Sequence, residues 1–413
     1  MRLLYIARLF SGLEASIQAK RWAPTGAPAI YKLIERLDRE QIELKIVLTK
    51  KSTGYSSWNC GIDQDVVLAG LKTEITVLSG TEAVHLPFEK LRSKVAEFRQ
   101  VIRLLVIFFH YKPDIVYVDH ANIWVAGILA RISKRPIILR LLGVYPAMRL
   151  ALSGYRIAHI LLRWCYRAPF RAVVCTQDGS GIEPWLEKAL SQKVPSYKLL
   201  NGVDVASSEE LPPLISNLPS DRCVVLFLGK IEAAKGAVEF AEAMLAAMAK
   251  VPNRFHALVI GTGSCLKSIR TRVSEANAIN EFSFVERLSH AEVAAALKRA
   301  AIYVSLNRLG NLSNANLEAM RAGCCMIFPA SQPATSVDSV TDSLIPDGAV
   351  LRIRSAEDKT GLVKALIELS EHPATRKSMG QAIQRVANVL LPTWDVRVQT
   401  EMELIRSISS KPS

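Results

Sequence analysis

Short apolar and β-branched runs alternate with longer segments of helical period along almost the whole chain, and this alternation limits the fold more than any other feature. The runs expected to be strands are Leu3–Ala7, Glu43–Leu48, Glu74–Leu78, Asp114–Val118, Ile137–Leu141, Ala172–Thr176 and Tyr197–Leu200 in the first half. In the second half they are Val224–Leu228, Ala257–Ile260, Phe282–Val285, Ile302–Ser305, Cys324–Phe328 and Val350–Ile353. Between them, segments such as Ala29–Leu37, Ala237–Lys250, Ala291–Ala300 and Leu362–Glu371 carry helical periodicity. Such repetition brings each strand back parallel through a crossover helix, which gives α/β, doubly wound sheets. A chain of 413 residues is long enough for two such domains with separate cores. The polar segment Ser207–Asp221, stiffened by Pro212, Pro213 and Pro219, marks the expected boundary. The expected plan is an N-terminal Rossmann-like domain over 1–206 and a linker over 207–221. A C-terminal domain over 222–390 and a final helix with tail over 391–413 complete it.

Charge divides the chain unevenly. Residues 1–204 hold 29 Lys+Arg and 17 Asp+Glu, a balance of +12; the remainder holds 23 and 21, a balance of +2. A basic first half calls for a negatively charged partner: nucleic acid, an anionic membrane or a phosphorylated acceptor. Nucleic acid fits poorly, because no aromatics interleave with the basic residues and no recognisable module is present. No apolar run reaches the roughly 18 residues that a spanning helix needs. Met1–Phe10 is too short and too basic for a secretory signal. The seven cysteines form no CxxC pattern, so reduced cytoplasmic thiols without structural zinc are expected.

Three segments carry chemistry. Asn311–Gly323 reads NLSNANLEAMRAG: Ser313 and Asn314 suit an N-cap, and Gly323 suits a helix stop. The free N–H groups of such a helix start favour a phosphate, and Glu318 just beyond it suits the two hydroxyls of a ribose. An ordinary capped helix has the same signature. Val224–Gly236 reads VVLFLGKIEAAKG, a buried strand followed by a loop with Lys230 and Lys235. Two cations near a helix start neutralise a diphosphate and stabilise its departure, though the P-loop spacing is absent. Ala257–Ser264 reads ALVIGTGS, a strand ending in a Gly-x-Gly turn that allows close backbone approach.

Taken in order, these segments, with Phe284-Val285-Glu286-Arg287-Leu288-Ser289 between them, resemble the C-terminal domain of the GT-B retaining glycosyltransferases of the family-4 type (glycosyl transferases group 1). Asn201-Gly202-Val203-Asp204 resembles that family's interdomain junction, and Leu391–Ile408 its final helix. The resemblance covers roughly Leu199 to the end. It implies two Rossmann-like domains facing a cleft, with the last helix crossing back to the first domain. It implies that Lys230 and Lys235 hold the donor diphosphate and Glu318 the donor ribose. Gly229, Gly261, Gly263, Arg287, Asn314, Leu317 and Ala319 would line the donor, and Gly12, in Ser11-Gly12-Leu13-Glu14, would approach it from the first domain.

The chain departs from the family pattern in several places. Gly310 stands where the family's first glutamate, a sugar-hydroxyl ligand, is usual; Asn307, Asn311 or Asn314 are candidate substitutes. Lys230 replaces an arginine. In the first domain a family histidine position is Asp119, with His120 next to it as a candidate catalytic residue; a second family histidine aligns with Leu142. Arg149, Arg156, Arg163 and Arg167 are spaced for one face of one helix, suited to an anionic bilayer, a lipid-linked phosphate or plain solvent.

The expected activity is metal-independent, retaining transfer of a sugar from a nucleotide-diphosphate donor to a saccharide or lipid-linked acceptor in cell-surface polysaccharide assembly. The expected location is the cytoplasm, with peripheral contact at the inner face of the membrane. No cofactor is expected. Two alternatives remain open: a sugar-nucleotide epimerase of the same architecture, and a non-catalytic nucleotide-binding relative.

Overall fold

The structure, a computed structural model, describes residues 1–50, 61–81, 84, 88–204 and 213–409. Cys60, residues 205–212 of the expected boundary segment and the tail after residue 409 lie outside the described residues. The chain forms two compact units. One comprises Met1–Thr176, Glu183–Leu199 and Trp394–Ser413; the other comprises Gln177–Ile182 and Leu200–Thr393.

The first unit is built on eight strands: β1 (Arg2–Arg8), β2 (Glu43–Thr49), β3 (Gln64–Val66), β4 (Ile75–Leu78), β5 (Ile115–Asp119), β6 (Ile137–Leu141), β7 (Ala172–Thr176) and β8 (Ser196–Leu199). Their order is β3-β4-β2-β1-β5-β6-β7-β8, parallel except for β3 against β4. The short β3, absent from the expected strands, is polar and only half alternating, which hides it from periodicity. One face packs Leu3, Tyr5, Ile46, Leu48 and Tyr117 against the helices Ser11–Gln18 and Pro28–Arg39 and against the last helix, Trp394–Ser409. That last helix contributes Trp394, Val398, Met402 and Ile405 to this core. It also brings in a buried acid: Glu401, 1 % exposed and pushed up to about 8 by burial, meets Arg140 Nε of β6 at 3.4 Å and Arg397 at 2.5 Å, and accepts from the Tyr117 hydroxyl.

The second unit has six parallel strands: β9 (Cys223–Leu228), β10 (Phe255–Ile260), β11 (Phe282–Val285), β12 (Ile302–Val304), β13 (Met326–Pro329) and β14 (Leu351–Ile353), in the order β11-β10-β9-β12-β13-β14. Alternate side chains enter two separate cores, as the two-residue period of a strand requires. Val225, Phe227, Ala257, Val259, Ile302 and Val304 face the helices Ala237–Lys250 and Lys359–Glu371, while Val224, Leu226, Leu258 and Tyr303 face Asn314–Ala322 and Pro373–Leu390. Helices on both faces explain why these strands read as continuous apolar runs. Pro213–Ser216 forms a helical turn whose Ile215 is fully buried in this second core, so the later part of the expected linker belongs to the packed unit. No helix of the described residues is long and apolar enough to cross a membrane.

Candidate functional site

The loops that carry the expected donor residues all leave the carboxyl ends of neighbouring parallel strands of the second unit. Gly229 to Lys235 follows β9, Gly261 to Gly263 follows β10, Arg287 follows β11, and the helix Asn314–Ala322 follows β12. In doubly wound sheets this edge is where ligands bind. Topology therefore places Lys230, Lys235, Arg287 and Glu318 along one rim.

The β9 and β10 loops are laced together by backbone. Ile231 N–H donates to Thr262 O (2.9 Å) and Cys265 N–H to Ile231 O (3.0 Å). A Cβ on Gly261 would sit 1.8 Å from Gly229 O, and one on Gly263 2.3 Å from Ile231 O. The two glycines of this turn are thus required by loop-to-loop contact.

Lys235 closes a single turn, Ala233–Lys235, that ends at Gly236 with φ 69. Arg308 pins that turn: its backbone N–H donates to Ala234 O (3.0 Å), and its guanidinium reaches Ala233 O, Glu239 (2.6 Å) and Glu357 (2.5 Å). Lys230 is exposed, whereas Lys235 is half-buried. Burial lowers the Lys235 pKa, the nearby Asp178 charge opposes that, and Lys230 lowers it further. The two ammonium groups are close enough to feel each other, as a shared anion site requires.

The helix start has the expected cap. Ser313 is the N-cap and Gly323 the C-cap, with φ 73, but the Ser313 side chain makes no cap bond. Leu317 N–H donates to Ser313 O at 2.9 Å, and the Ala319 amide lies a turn inside the helix. Neither amide is left for a phosphate, contrary to the expectation for Leu317 and Ala319; both side chains are buried in the core. The first-turn amides of Asn314, Ala315 and Asn316 are the ones a helix leaves without intrahelical acceptors. Asn314 accepts from Asn201 Nδ2 at 2.6 Å, which ties the Asn201–Asp204 junction to the helix start. Glu318 is half-buried on the second turn. Burial pushes its carboxyl up to about 7, and the Asp204 charge adds to the rise.

Gly310 has a steric explanation. At φ 124, a Cβ would lie 2.5 Å from Asp178 O and Gly179 C. The segment Gln177–Ile182 occupies the space beside it. Leu312 N–H donates to Asp178 O (3.1 Å) and Asp338 N–H to Gly179 O (2.7 Å). A Cβ on Gly179 or Gly181 would clash in turn, with Asp338 Oδ1 at 2.6 Å and Ser336 O at 2.7 Å. Two of the asparagines considered as substitutes, Asn307 and Asn311, are committed to this seam. Asn311 donates through N and Nδ2 to Asp338 (2.6 Å each) and accepts from Ser305 (2.7 Å), and Asn307 holds Gly310 O and Leu309 N–H. What the segment brings is a carboxylate that sequence reasoning missed. Asp178 couples to Lys235, and both bonds from Ser180 go to its Oδ1 (3.0 and 2.5 Å). Burial pushes Asp178 up to about 6. The signal was the run Asp178-Gly179-Ser180-Gly181 directly after a strand.

In the first unit several expectations change. Gly12 lies in the first turn of the helix Ser11–Gln18, and a Cβ there would meet Thr25 O at 1.8 Å; the segment is a packed helix start. Asp119 is buried and accepts from Arg8 N–H (2.6 Å) and Asn122 Nδ2 (2.7 Å), so its carboxylate secures a loop. His120 Nε2 pairs with the Tyr166 hydroxyl at 2.9 Å, the rings stack, and burial drops its pKa to about 4, leaving a neutral imidazole at pH 7. The four arginines do not share a helix. Pro146–Ser153 ends before Ile157–Tyr166 begins; Arg149 lies on the first, Arg156 is the N-cap of the second, Arg163 lies within it and Arg167 is its C-cap. Arg163 turns back to bond Ala151 O (2.8 Å) and Gly154 O (2.6 Å), carbonyls left open at the end of the first helix.

Among the described residues no three His, Cys, Asp or Glu side chains gather as a metal cluster.

Residues 213–386 match the family model for glycosyl transferases group 1. The second unit carries a group 1 glycosyltransferase domain. The whole chain superposes on solved structures of low identity. Sucrose-phosphate synthase from Thermosynechococcus elongatus is 17% identical with TM-score 0.73, over 98% of this chain and 99% of that one. HepE from Anabaena in complex with UDP is 14% identical with TM-score 0.65, over 98% and 100%. A trehalose-6-phosphate structure from E. coli bound with UDP-2-fluoro glucose is 12% identical with TM-score 0.68, over 100% and 99%. These likenesses establish the GT-B fold, with two Rossmann-like parallel-sheet domains. No curated protein matches the sequence.

Proposed function

We propose that this chain transfers a sugar from a nucleotide-diphosphate sugar to a saccharide or lipid-linked acceptor, with retention at the anomeric carbon. The observation that carries the reading is the rim of the second unit: Lys230 and Lys235 couple to each other beside Asp178, on the same sheet edge as the open amides of Asn314–Asn316 and the Glu318 carboxylate. Cations and helix-start amides suit a diphosphate, and a carboxylate one turn further suits a ribose. The group 1 match over this unit and the UDP held by a structural neighbour support the same donor class.

In this mechanism the two ammonium groups and the helix start stabilise the negative charge that grows as the anomeric carbon–oxygen bond to the diphosphate breaks. The acceptor oxygen attacks from the face that the diphosphate leaves, and its proton passes to the departing phosphate oxygen. No separate protein base is needed. The lysines supply the cationic stabilisation, so the reaction is metal-independent and uses no cofactor. We assign to Asp178 the sugar hydroxyls, since Gly310 has no side chain to hold them. Acceptor binding is assigned to the first unit. The setting is cell-surface polysaccharide assembly in the cytoplasm, with peripheral contact on an anionic membrane.

A ligand-shift screen against UDP-, GDP- and ADP-sugars tests the donor class; absence of any shift refutes the reading. Incubation with the responding donor alone separates transfer from epimerisation, which needs no second substrate and would convert the free nucleotide sugar. Turnover with extracted lipid-linked acceptor separates an enzyme from a nucleotide-binding relative.

A further inference from the structure

The helix Glu89–Tyr111 of the first unit has two opposite apolar faces. Ala96, Gln100 (a polar exception), Leu104 and Phe108 are its buried side. At about 100° per residue, Leu91, Val95, Phe98, Ile102, Val106 and Phe109 fall within about 80° on the far side of the helix, a line roughly 27 Å long. These six are 37 to 66 % exposed. Scattered single apolar residues on a surface need no explanation, but a continuous line of large ones marks an interaction site.

The charge around the line has one dominant sign. On this helix Lys90, Arg92, Lys94, Arg99 and Arg103 face only Glu89 and Glu97, five against two, or +3. Arg99 and Arg103 also meet Asp63 (3.6 and 2.8 Å) while staying more than a third exposed. The helix Ile123–Ile132 touches both this helix and Ile157–Tyr166, so the three share a layer. On Ile157–Tyr166 a second set, Ile157, Ile160, Leu161 and Trp164, is exposed, and the Arg131 guanidinium lies 3.7 Å over the Trp164 ring.

We propose that this helical layer docks onto the headgroup region of an anionic lipid bilayer, with the Leu91–Phe109 line entering the acyl boundary and the flanking cations resting on the headgroups. The inference builds on the membrane contact in the proposed function and supplies its surface. A bilayer offers an apolar interior beneath a negative surface and needs no shape-matched groove, which suits a straight apolar line edged by cations. The arginine-bearing break at Ser153–Ile157 is at most an auxiliary contact, because Arg163 is already engaged with carbonyls.

The test is flotation of the intact chain with phosphatidylcholine vesicles, either pure or containing about one-third phosphatidylglycerol. The wild type floats with the anionic vesicles and at least about tenfold less with the neutral ones. The F98S/F109S variant loses at least about tenfold in partitioning to anionic vesicles. The K90S/K94S variant loses about tenfold on anionic vesicles and nothing on neutral ones. All four positions are solvent-facing, and unchanged thermal melting of the variants verifies their fold. Unchanged partitioning of F98S/F109S overturns the proposal. So does a concentration-dependent dimer, seen by ultracentrifugation and dissociated by F98S/F109S, which would give the line to a second copy. Nucleotide-sugar binding measured on the same samples keeps the two readings apart: flotation without donor binding sinks the transferase reading alone, and donor binding without flotation sinks the docking surface alone.

Discussion

If Glu318 receives the two hydroxyls of a donor ribose, donor affinity must follow its ionisation. Burial and the Asp204 charge hold this carboxyl near 7, well above an ordinary glutamate. Ribose hydroxyls donate to the carboxylate, so the ionised form binds and the protonated form does not bind as well. Affinity is therefore full above pH 7 and is lost as the pH falls through it. The ionised fraction is about nine-tenths near pH 8 and about one-tenth near pH 6, so the association constant should drop by nearly tenfold across that interval. Glu318→Gln keeps the shape and removes the charge. It should flatten the profile and weaken binding near pH 8 by roughly tenfold or more, the difference between charge-assisted and neutral hydrogen bonds. Calorimetry should use an intact nucleotide sugar. Its diphosphate is esterified at both ends, whereas the terminal phosphate of a free nucleoside diphosphate titrates near 6 and would imitate the effect. A flat wild-type profile, or an equal slope in Glu318→Gln, would refute the assignment.

Lys235→Ala should reduce transfer at least about a hundredfold by removing one cation from the departing diphosphate, with steady-state kinetics on the responding donor as the measurement; near-normal turnover would count against the site. Asp178→Asn should keep nucleoside diphosphate affinity within about twofold while nucleotide-sugar turnover falls at least about tenfold, a split read by comparing calorimetry with kinetics; parallel loss of both would reduce Asp178 to a loop-holding role. Gly310→Ala should destabilise the second unit by about 3 kcal/mol, from the positive φ and a methyl pressed on the backbone of Gly179, measured by urea unfolding. Burial pushes the Glu401 carboxyl up to about 8, so at pH 9 Glu401→Gln leaves Arg140 and Arg397 buried without a counter-charge. It should cost the first unit roughly 3–5 kcal/mol, and a loss below about 1 kcal/mol in urea unfolding would show that the pair is not needed.

Strand positions other than β3 were legible because most strands are covered on both faces and read as short apolar blocks. Val224–Leu228 and Ala257–Ile260 fall inside the observed β9 and β10. The cap at Ser313 and the stop at Gly323 were legible for an equally local reason, since a helix end is decided by a few residue types. What escaped depends on contacts distant in sequence. The arginines at positions 149 to 167 have helical spacing, but spacing does not reveal the break after Ser153, where the chain turns and Arg163 returns to cap it. Gly310 looked like a lost ligand until the segment Gln177–Ile182 was seen to fill its surroundings. Arg140 sits in an apolar run and reads as a surface residue, yet its partner is 261 positions away on the last helix. His120 and Asp119 were plausible by type and place, and only three-dimensional packing shows one neutralised and the other tied to a loop.

The division of the sequence between the units also bears on how the protein comes into being. Residues 177–182 complete the unit that follows them, and residues 394–409, made after that unit, complete the earlier one. During synthesis the leading unit must therefore wait, with the Arg140 guanidinium lacking its acidic partner, until residue 401 has left the ribosome. The same interlacing means that no single cut in the gene yields two self-sufficient halves. Exchanging donor domains between such proteins would require grafting four junctions together.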